Sequence, residues 1–177
     1  MIAITLPDGS VKQFKSETTP MGVAHSISEG FARNVISASF NGKTIETSTP
    51  ITKNGELVLY TWRDKKGKEA FWHSSAHILA QALEDLYPGI KLTIGPAIEN
   101  GFYYDIDLAD NTISEKDLLT IENKMLEIAR GKHKFSVRES SKIAALDYYK
   151  KQDNQYKVEL IENLEDGTIT FCDHDNF

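Results

Sequence analysis

Residues 2–14 read Ile2-Ala3-Ile4-Thr5-Leu6-Pro7-Asp8-Gly9-Ser10-Val11-Lys12-Gln13-Phe14, and the fold is decided from here outward. Ile2, Ile4 and Leu6 alternate with smaller residues, the period of a strand with one buried face. Pro7-Asp8-Gly9 is turn chemistry, because proline presets φ and glycine tolerates a positive one. With Val11 and Phe14 after the turn, the stretch reads as a β-hairpin. Thr19-Pro20 then opens a short helix, with proline in the first turn, where its missing N–H costs nothing. That helix is predicted to bury Val23, Ala24 and Ile27 and to stop near Gly30. Residues 35–40 form a strand, and Asn41-Gly42 is a strong hairpin signal. Thr44 and Ile45 lie on another short strand, and Asn54-Gly55 turns the chain into a last strand over 56–62.

The order hairpin, helix, strands is that of a β-grasp, an α+β arrangement. Arg63-Asp64-Lys65-Lys66-Gly67-Lys68 is polar and aperiodic, and a domain boundary is placed there, giving domains 1–62 and 63–177. Beyond it, a helix is predicted over 69–87, ended by Pro88-Gly89. Strand-like segments follow at 91–94 and 101–106. Ser114 is the expected N-cap of a second helix striped by Leu118, Ile121, Met125 and Ile128 and ended by Gly131. A strand at 135–138, a helix at 140–149 and a turn at Gly167 into a strand through Phe171 complete the pattern. Residues 158–161 fit either helix or strand. The second domain is therefore expected to pack helices against an antiparallel sheet.

Composition narrows the class. Of 177 residues, 40 % are hydrophobic and 26 % charged, which is ordinary for a globular chain. No apolar run is long enough for a membrane span and no secretory signal opens the chain, so a cytoplasmic protein without membrane partners is expected. The single cysteine, Cys172, excludes an internal disulfide framework. The net charge of −6 is uneven: residues 151–177 carry −5, leaving −1 for the rest. Arg63, Lys65, Lys66 and Lys68 form the densest basic patch; a solvated linker and a phosphate contact are both open readings.

Three features could carry chemistry. His73 and His77, in His73-Ser74-Ser75-Ala76-His77, stand four apart on a helix and so share a face. Phe71, Ile78, Leu79, Ala82 and Leu86 cluster roughly opposite, which points the histidines away from the thickest apolar stripe, either exposed or lining a cleft. A zinc-protease helix would need Glu directly after the first histidine, and Ser74 stands there. Cys172 and His174 are the only obvious further zinc donors, and their spacing is not a standard zinc pattern. The second feature runs from Ile94-Gly95-Pro96 to Gly101-Phe102-Tyr103-Tyr104-Asp105, a short loop between tight turns with one aromatic set free to face a pocket. The third is Tyr156-Lys157-Val158, where apolar neighbours can bury the lysine in part.

The opening ITLPDGS, the Asn41-Gly42 hairpin and the final strand resemble a TGS domain, a ubiquitin-like β-grasp. HSSAHILAQAL, IGPAIENGFYYDID and QYKVELI resemble the editing domain of bacterial and eukaryotic threonyl-tRNA synthetases, and the likeness runs from about Ile2 to Phe177. It implies a second pocket that hydrolyses mischarged seryl-tRNA(Thr), because one methyl is worth only about 1–3 kcal/mol of discrimination in a first pocket. It further implies that His73 and His77 line that pocket, His73 positioning or activating water. Lys157 would stabilise charge at the ester, Tyr104 would contact the substrate or the terminal adenosine, and Gly95 would make room in the wall.

The family's editing is metal-free. The parent ligase would use ATP, magnesium and a zinc in its catalytic domain, take the tRNA(Thr) 3′ end as partner and form a homodimer; the present stretch alone would be a monomer. The family pocket also has a Cys-x-x-x-His element; Cys172 does not match it, since Asn176 stands four later. The editing domain is therefore expected to be truncated at its C-terminal side and weak or inactive in editing; without the family's aminoacylation and anticodon-binding domains, the stretch is expected to be unable to ligate. Two other readings stand beside this one: a non-catalytic TGS module that binds RNA or protein, and an alanyl-type editing protein using zinc.

Overall fold

The computed structural model describes residues 1–165, 167–174 and 177; Asp166, Asp175 and Asn176, counted above, lie outside the described residues. The chain divides into two compact units, Met1–Trp72 and His73–Phe177.

In the first unit, β1 (Ile2–Thr5) and β2 (Val11–Phe14) form the expected hairpin, with Ile2 opposite Phe14. The turn between them is held by Asp8, whose Oδ1 accepts from the Ser10 N–H at 3.0 Å and its hydroxyl at 2.7 Å. Helix α1 (Pro20–Ile27) starts on Thr19, whose hydroxyl accepts from Gly22 N–H at 3.0 Å. It ends three residues before Gly30, because Ser28 closes it and its hydroxyl then caps a single turn, α2 (Glu29–Ala32). β3 (Val35–Phe40) turns through Asn41 and Gly42, both at positive φ, into β4 (Lys43–Ile45). β5 (Gly55–Thr61) comes last and lies at the centre of a sheet ordered β2-β1-β5-β3-β4. It is parallel to β1 and antiparallel to β3, the β-grasp arrangement. Ile2, Ile4, Val23, Ala38, Ile51 and Leu57 form the core between sheet and helix.

Helix α3 (Lys65–Leu86) begins four residues before the predicted start, so most of the polar segment expected as a linker is helical. Two local features explain this. Asp64 is anchored by the Thr61 N–H at 2.7 Å and the Thr61 hydroxyl at 3.0 Å, and its carbonyl receives the Lys68 N–H at 3.0 Å. Gly67 lies where a Cβ would overlap the Thr61 carbonyl, so this glycine allows close approach rather than freedom. The division between the compact units falls inside α3, after the segment where the sequence placed its boundary.

The second unit is built on the rest of α3. Its buried stripe is Ala76, Ala80, Ala82 and Leu83, and the core adds Ile90, Leu92 and Ile121. This corrects the predicted helix face: Phe71, read as part of the apolar side, is 42 % exposed, while Ala80, not counted in that stripe, is fully buried. Counting large residues undervalues alanine, whose small side chain lets neighbouring elements close on the helix.

Short strands β6 (Lys91–Leu92) and β9 (Ile106–Asp107) pair antiparallel, as do β7 (Ala97–Ile98) and β8 (Gly101–Phe102). The continuous strand expected over 101–106 is thus broken at 103–105, although Thr93 N–H and Asp105 N–H still bond across to Asp105 and Ile94 carbonyls. Helix α4 (Glu115–Arg130) starts at Ser114, whose N–H and hydroxyl both donate to Asp117 Oδ2, at 2.8 and 2.6 Å. β10 (Phe135–Ser141) and β11 (Thr168–His174) pair along their whole length. Both are longer than predicted, and α5 (Lys142–Lys151) starts correspondingly later. Helix α6 (Gln155–Glu162) settles the ambiguous segment as helix. Among the described residues no helix is long and apolar enough to cross a membrane.

Candidate functional site

The second unit holds a cavity of about 440 Å³ lined by His73, Ala76, His77, Ile94, Gly95, Pro96, Ala97, Tyr104 and Lys157. All five side chains or backbone positions singled out in the sequence therefore meet at one hollow. Three segments bring them there: one face of α3, the 94–97 loop with Tyr104, and the first turn of α6.

Buried Ala76 lies between the two histidines in sequence and lets that part of α3 sit against the loop. The imidazoles meet through their Nε2 atoms at 3.1 Å, ring centroids 4.7 Å apart and planes at 80°. One Nε2 must donate and the other accept, so the contact needs one proton between the two atoms and is lost if both rings are doubly protonated. Burial pushes His77 down to about 4, and the positive potentials of His73, Lys157 and His174 push in the same direction. His77 is therefore neutral at neutral pH. It is also a weak base there.

Lys157 is the third residue of α6. Burial lowers its pKa, opposed by the negative charge of Glu84 on α3. Its position is fixed by Asn154, the N-cap: Oδ1 accepts from the Lys157 N–H at 3.1 Å while Nδ2 donates to the Leu92 carbonyl at 3.1 Å. Flanking this, the Tyr156 hydroxyl donates to Asp107 Oδ2 at 2.6 Å and Lys91 pairs with Asp153 at 2.9 Å. Three ties thus hold the start of α6 on the β6–β9 pair.

Gly95 makes room, but for a neighbour. A Cβ there would lie 2.9 Å from Tyr104 Cγ and closer still to Cδ2 and Cε2. The glycine lets the phenol ring approach the backbone closely, and the ring forms part of the wall. Burial first, then the charge of Glu84, raises the Tyr104 hydroxyl to about 12, so it is a neutral donor at physiological pH.

Sequence reading did not find Asn154, whose role needs the fold to show Leu92 beside it. It also did not find an adjoining hollow of about 410 Å³ that shares His77, Tyr104 and Lys157 and adds Arg138, Tyr149 and Phe171. The Tyr148-Tyr149 pair was the only local signal for it. Tyr149 stacks on Phe171 with planes at 13°, and Arg138 lies 4.2 Å over the same ring. Cys172 and His174, the only obvious further zinc donors in the sequence, do not join the histidine pair in a donor cluster. His174 Nδ1 donates to Gln81 Oε1 at 2.8 Å, and its ring lies 4.3 Å from Phe135. Among the described residues no group of three or more His, Cys, Asp or Glu could hold a metal ion.

Residues 2–61 match the TGS domain family, so the chain is a TGS-domain protein whose β-grasp is followed by a histidine-lined cavity. The threonine–tRNA ligase of Flavobacterium johnsoniae is 67 % identical over 177 residues, all of this chain and 27 % of that protein. The ligase of Flavobacterium psychrophilum is 63 % identical over the same span and share. That of Cytophaga hutchinsonii is 52 % identical over 171 residues, 97 % of this chain and 26 % of the ligase. The chain belongs to the threonyl-tRNA synthetase family, as its N-terminal region, and spans about a quarter of the length of these relatives.

Proposed function

We propose that the second unit is the editing domain of a threonine–tRNA ligase, a site that hydrolyses the ester of seryl-tRNA(Thr). The observation that carries this is the convergence of His73, His77, Tyr104, Gly95 and Lys157 on one cavity. In the reaction, a water oxygen attacks the seryl carbonyl carbon, the ester C–O bond breaks, and the water proton ends on the departing ribose oxygen. We assign the proton-accepting role to His73. His77, held neutral by its surroundings, is the hydrogen-bonding partner that orients it. The Lys157 ammonium stands where negative charge develops on the carbonyl oxygen. The Tyr104 hydroxyl bonds substrate without titrating.

Ligation of threonine, with its ATP, magnesium and zinc, and dimerisation belong to the rest of the ligase. No step is routed through metal in this unit, whose described donors do not fit one.

The test is serine release from seryl-tRNA(Thr) by the ligase carrying this region together with that element, with threonyl-tRNA(Thr) as control. Wild-type protein is expected to release serine and spare threonine, and His73→Ala to lower the rate by about 10²-fold or more, the usual worth of a general base. Equal rates for the two esters, or an unchanged rate in His73→Ala, overturn the reading and leave a TGS-bearing binding module.

A further inference from the structure

The basic patch read from the sequence is not absorbed by the cavity, and the first unit gives it a setting. Tyr60 and Trp62 precede Arg63, Lys65, Lys66 and Lys68 in the chain, and Phe71 and Trp72 follow them. Trp62, Phe71 and Trp72 meet edge to face, with centroids 5.1 to 5.4 Å apart. Trp62 is 46 % exposed and Phe71 42 %, unusual for rings of this size. Lys68 Nζ lies 5.9 Å from the Trp62 ring centre and Lys66 Nζ 5.4 Å from that of Tyr60, so cations and rings share one surface.

Residues 60–72 carry four cations against Asp64 and Glu69, a net +2 in a chain of net −6. Asp64 is committed to Thr61. The start of α3 is tied down by that contact and by the close approach at Gly67, so the patch is preformed.

We propose that this surface binds unpaired RNA, with bases stacking on Trp62 and Phe71 and phosphates lying against Arg63, Lys65, Lys66 and Lys68. Half-exposed rings beside cations are the two elements single-stranded nucleic acid needs, a stacking platform and a path for its backbone. A bilayer fits less well. Residues 62–72 contain no Leu, Ile, Val or Met, and Lys66 and Lys68 lie over rings of the patch rather than on an opposite face. The surface is independent of the editing reading, since none of its residues lines either cavity.

Trp62 and Trp72 are the chain's only two tryptophans, so fluorescence excited selectively in tryptophan reports on this patch and not on the seven tyrosines. The experiment is a fluorescence titration of the 177-residue chain with a uridine 12-mer at several salt concentrations. Saturable quenching is expected. The dependence of log Kd on log salt has a slope of up to roughly 2.8, about 0.7 for each of four neutralised phosphates. Lys65→Gln/Lys66→Gln/Lys68→Gln should cut that slope to about 0.7 and weaken binding at least tenfold. Phe71→Ala should weaken it roughly 5- to 100-fold at unchanged slope, the worth of one stacked base.

Circular dichroism verifies that each variant folds. Lys65→Gln, at a side chain 90 % exposed, gives the same slope test at smaller amplitude. No quenching by the oligonucleotide overturns the proposal. So does equal quenching by inorganic polyphosphate, which has charge but no bases, or a response confined to phosphatidylserine vesicles.

Discussion

Replacing Gly95 by alanine tests the wall of the cavity directly. Gly95 does not occupy the left-handed region, so alanine meets no backbone strain there, and the nearest obstacle is the Tyr104 ring. Two opposed effects can be sized. Overpacking a rigid contact costs about 1–3 kcal/mol. Restricting the unfolded chain returns about 0.4–1 kcal/mol when glycine becomes alanine. Gly95→Ala alone should therefore be destabilising by up to roughly 2.5 kcal/mol. In a Tyr104→Ala background the new methyl enters vacated space, and the same substitution should stabilise by about 0.4–1 kcal/mol. The coupling between the two sites is then the clash itself, about 1–3 kcal/mol. Urea unfolding of the four proteins, followed by far-UV circular dichroism, measures it, and amide exchange at residues 94–106 localises it. An effect of Gly95→Ala that is equal in both backgrounds to within about 0.5 kcal/mol would refute the packing argument.

His77 predicts a pH dependence. Its folded pKa of about 4 lies below the 6.5 of the unfolded chain, so folding resists its protonation. The resulting stability is complete above pH 6.5 and is lost as pH falls toward 4, by at most about 3 kcal/mol. The stability difference between wild type and His77→Gln should shrink over that window; a constant difference from pH 7 to 4 excludes it. Asn154→Ala removes both the cap on α6 and its tie to Leu92, and should cost about 0.5–2 kcal/mol in urea unfolding. It should also slow serine release in the ligase, whereas unchanged stability and rate would show that Lys157 is held by other contacts. In the first unit, Leu57→Ala empties a fully buried site and should cost about 2–5 kcal/mol by thermal or urea unfolding, while a cost below 1 kcal/mol would mean that the core collapses around it.

What could be read in advance was local. Pro7-Asp8-Gly9, Asn41-Gly42, the Thr19 cap and the Ser114 cap act through their own backbone, and the structure shows each where the chain announced it. The histidine pair was legible because helical spacing alone puts His73 beside His77. What was not legible depends on distant partners. Phe71 looked like part of the apolar face behind the histidines and instead packs with Trp62 and Trp72. Lys65 to Lys68 looked like a linker because polar residues carry no periodicity, and the contacts at Thr61 that start the helix cannot be seen in them. Gly95 was read as leaving space for substrate, but only the fold shows the Tyr104 ring filling that space. The two-residue strands β6 to β9 are too short for any alternation to register.

The place of β5 in the first sheet has a consequence for the order in which that unit can assemble. The strand that joins β1 to β3 is the last to be synthesised. Ile4 meets Gly55 across a loop of roughly fifty residues, so the hairpin and α1 have no central partner until the chain has been made past that point. Contacts of such separation carry their closure entropy before they return any burial, which slows folding. During synthesis, the β1–β2 hairpin waits with an open edge on β1. Its short strands limit that exposure, and closure by β5 both completes the core and hides the edge in one step.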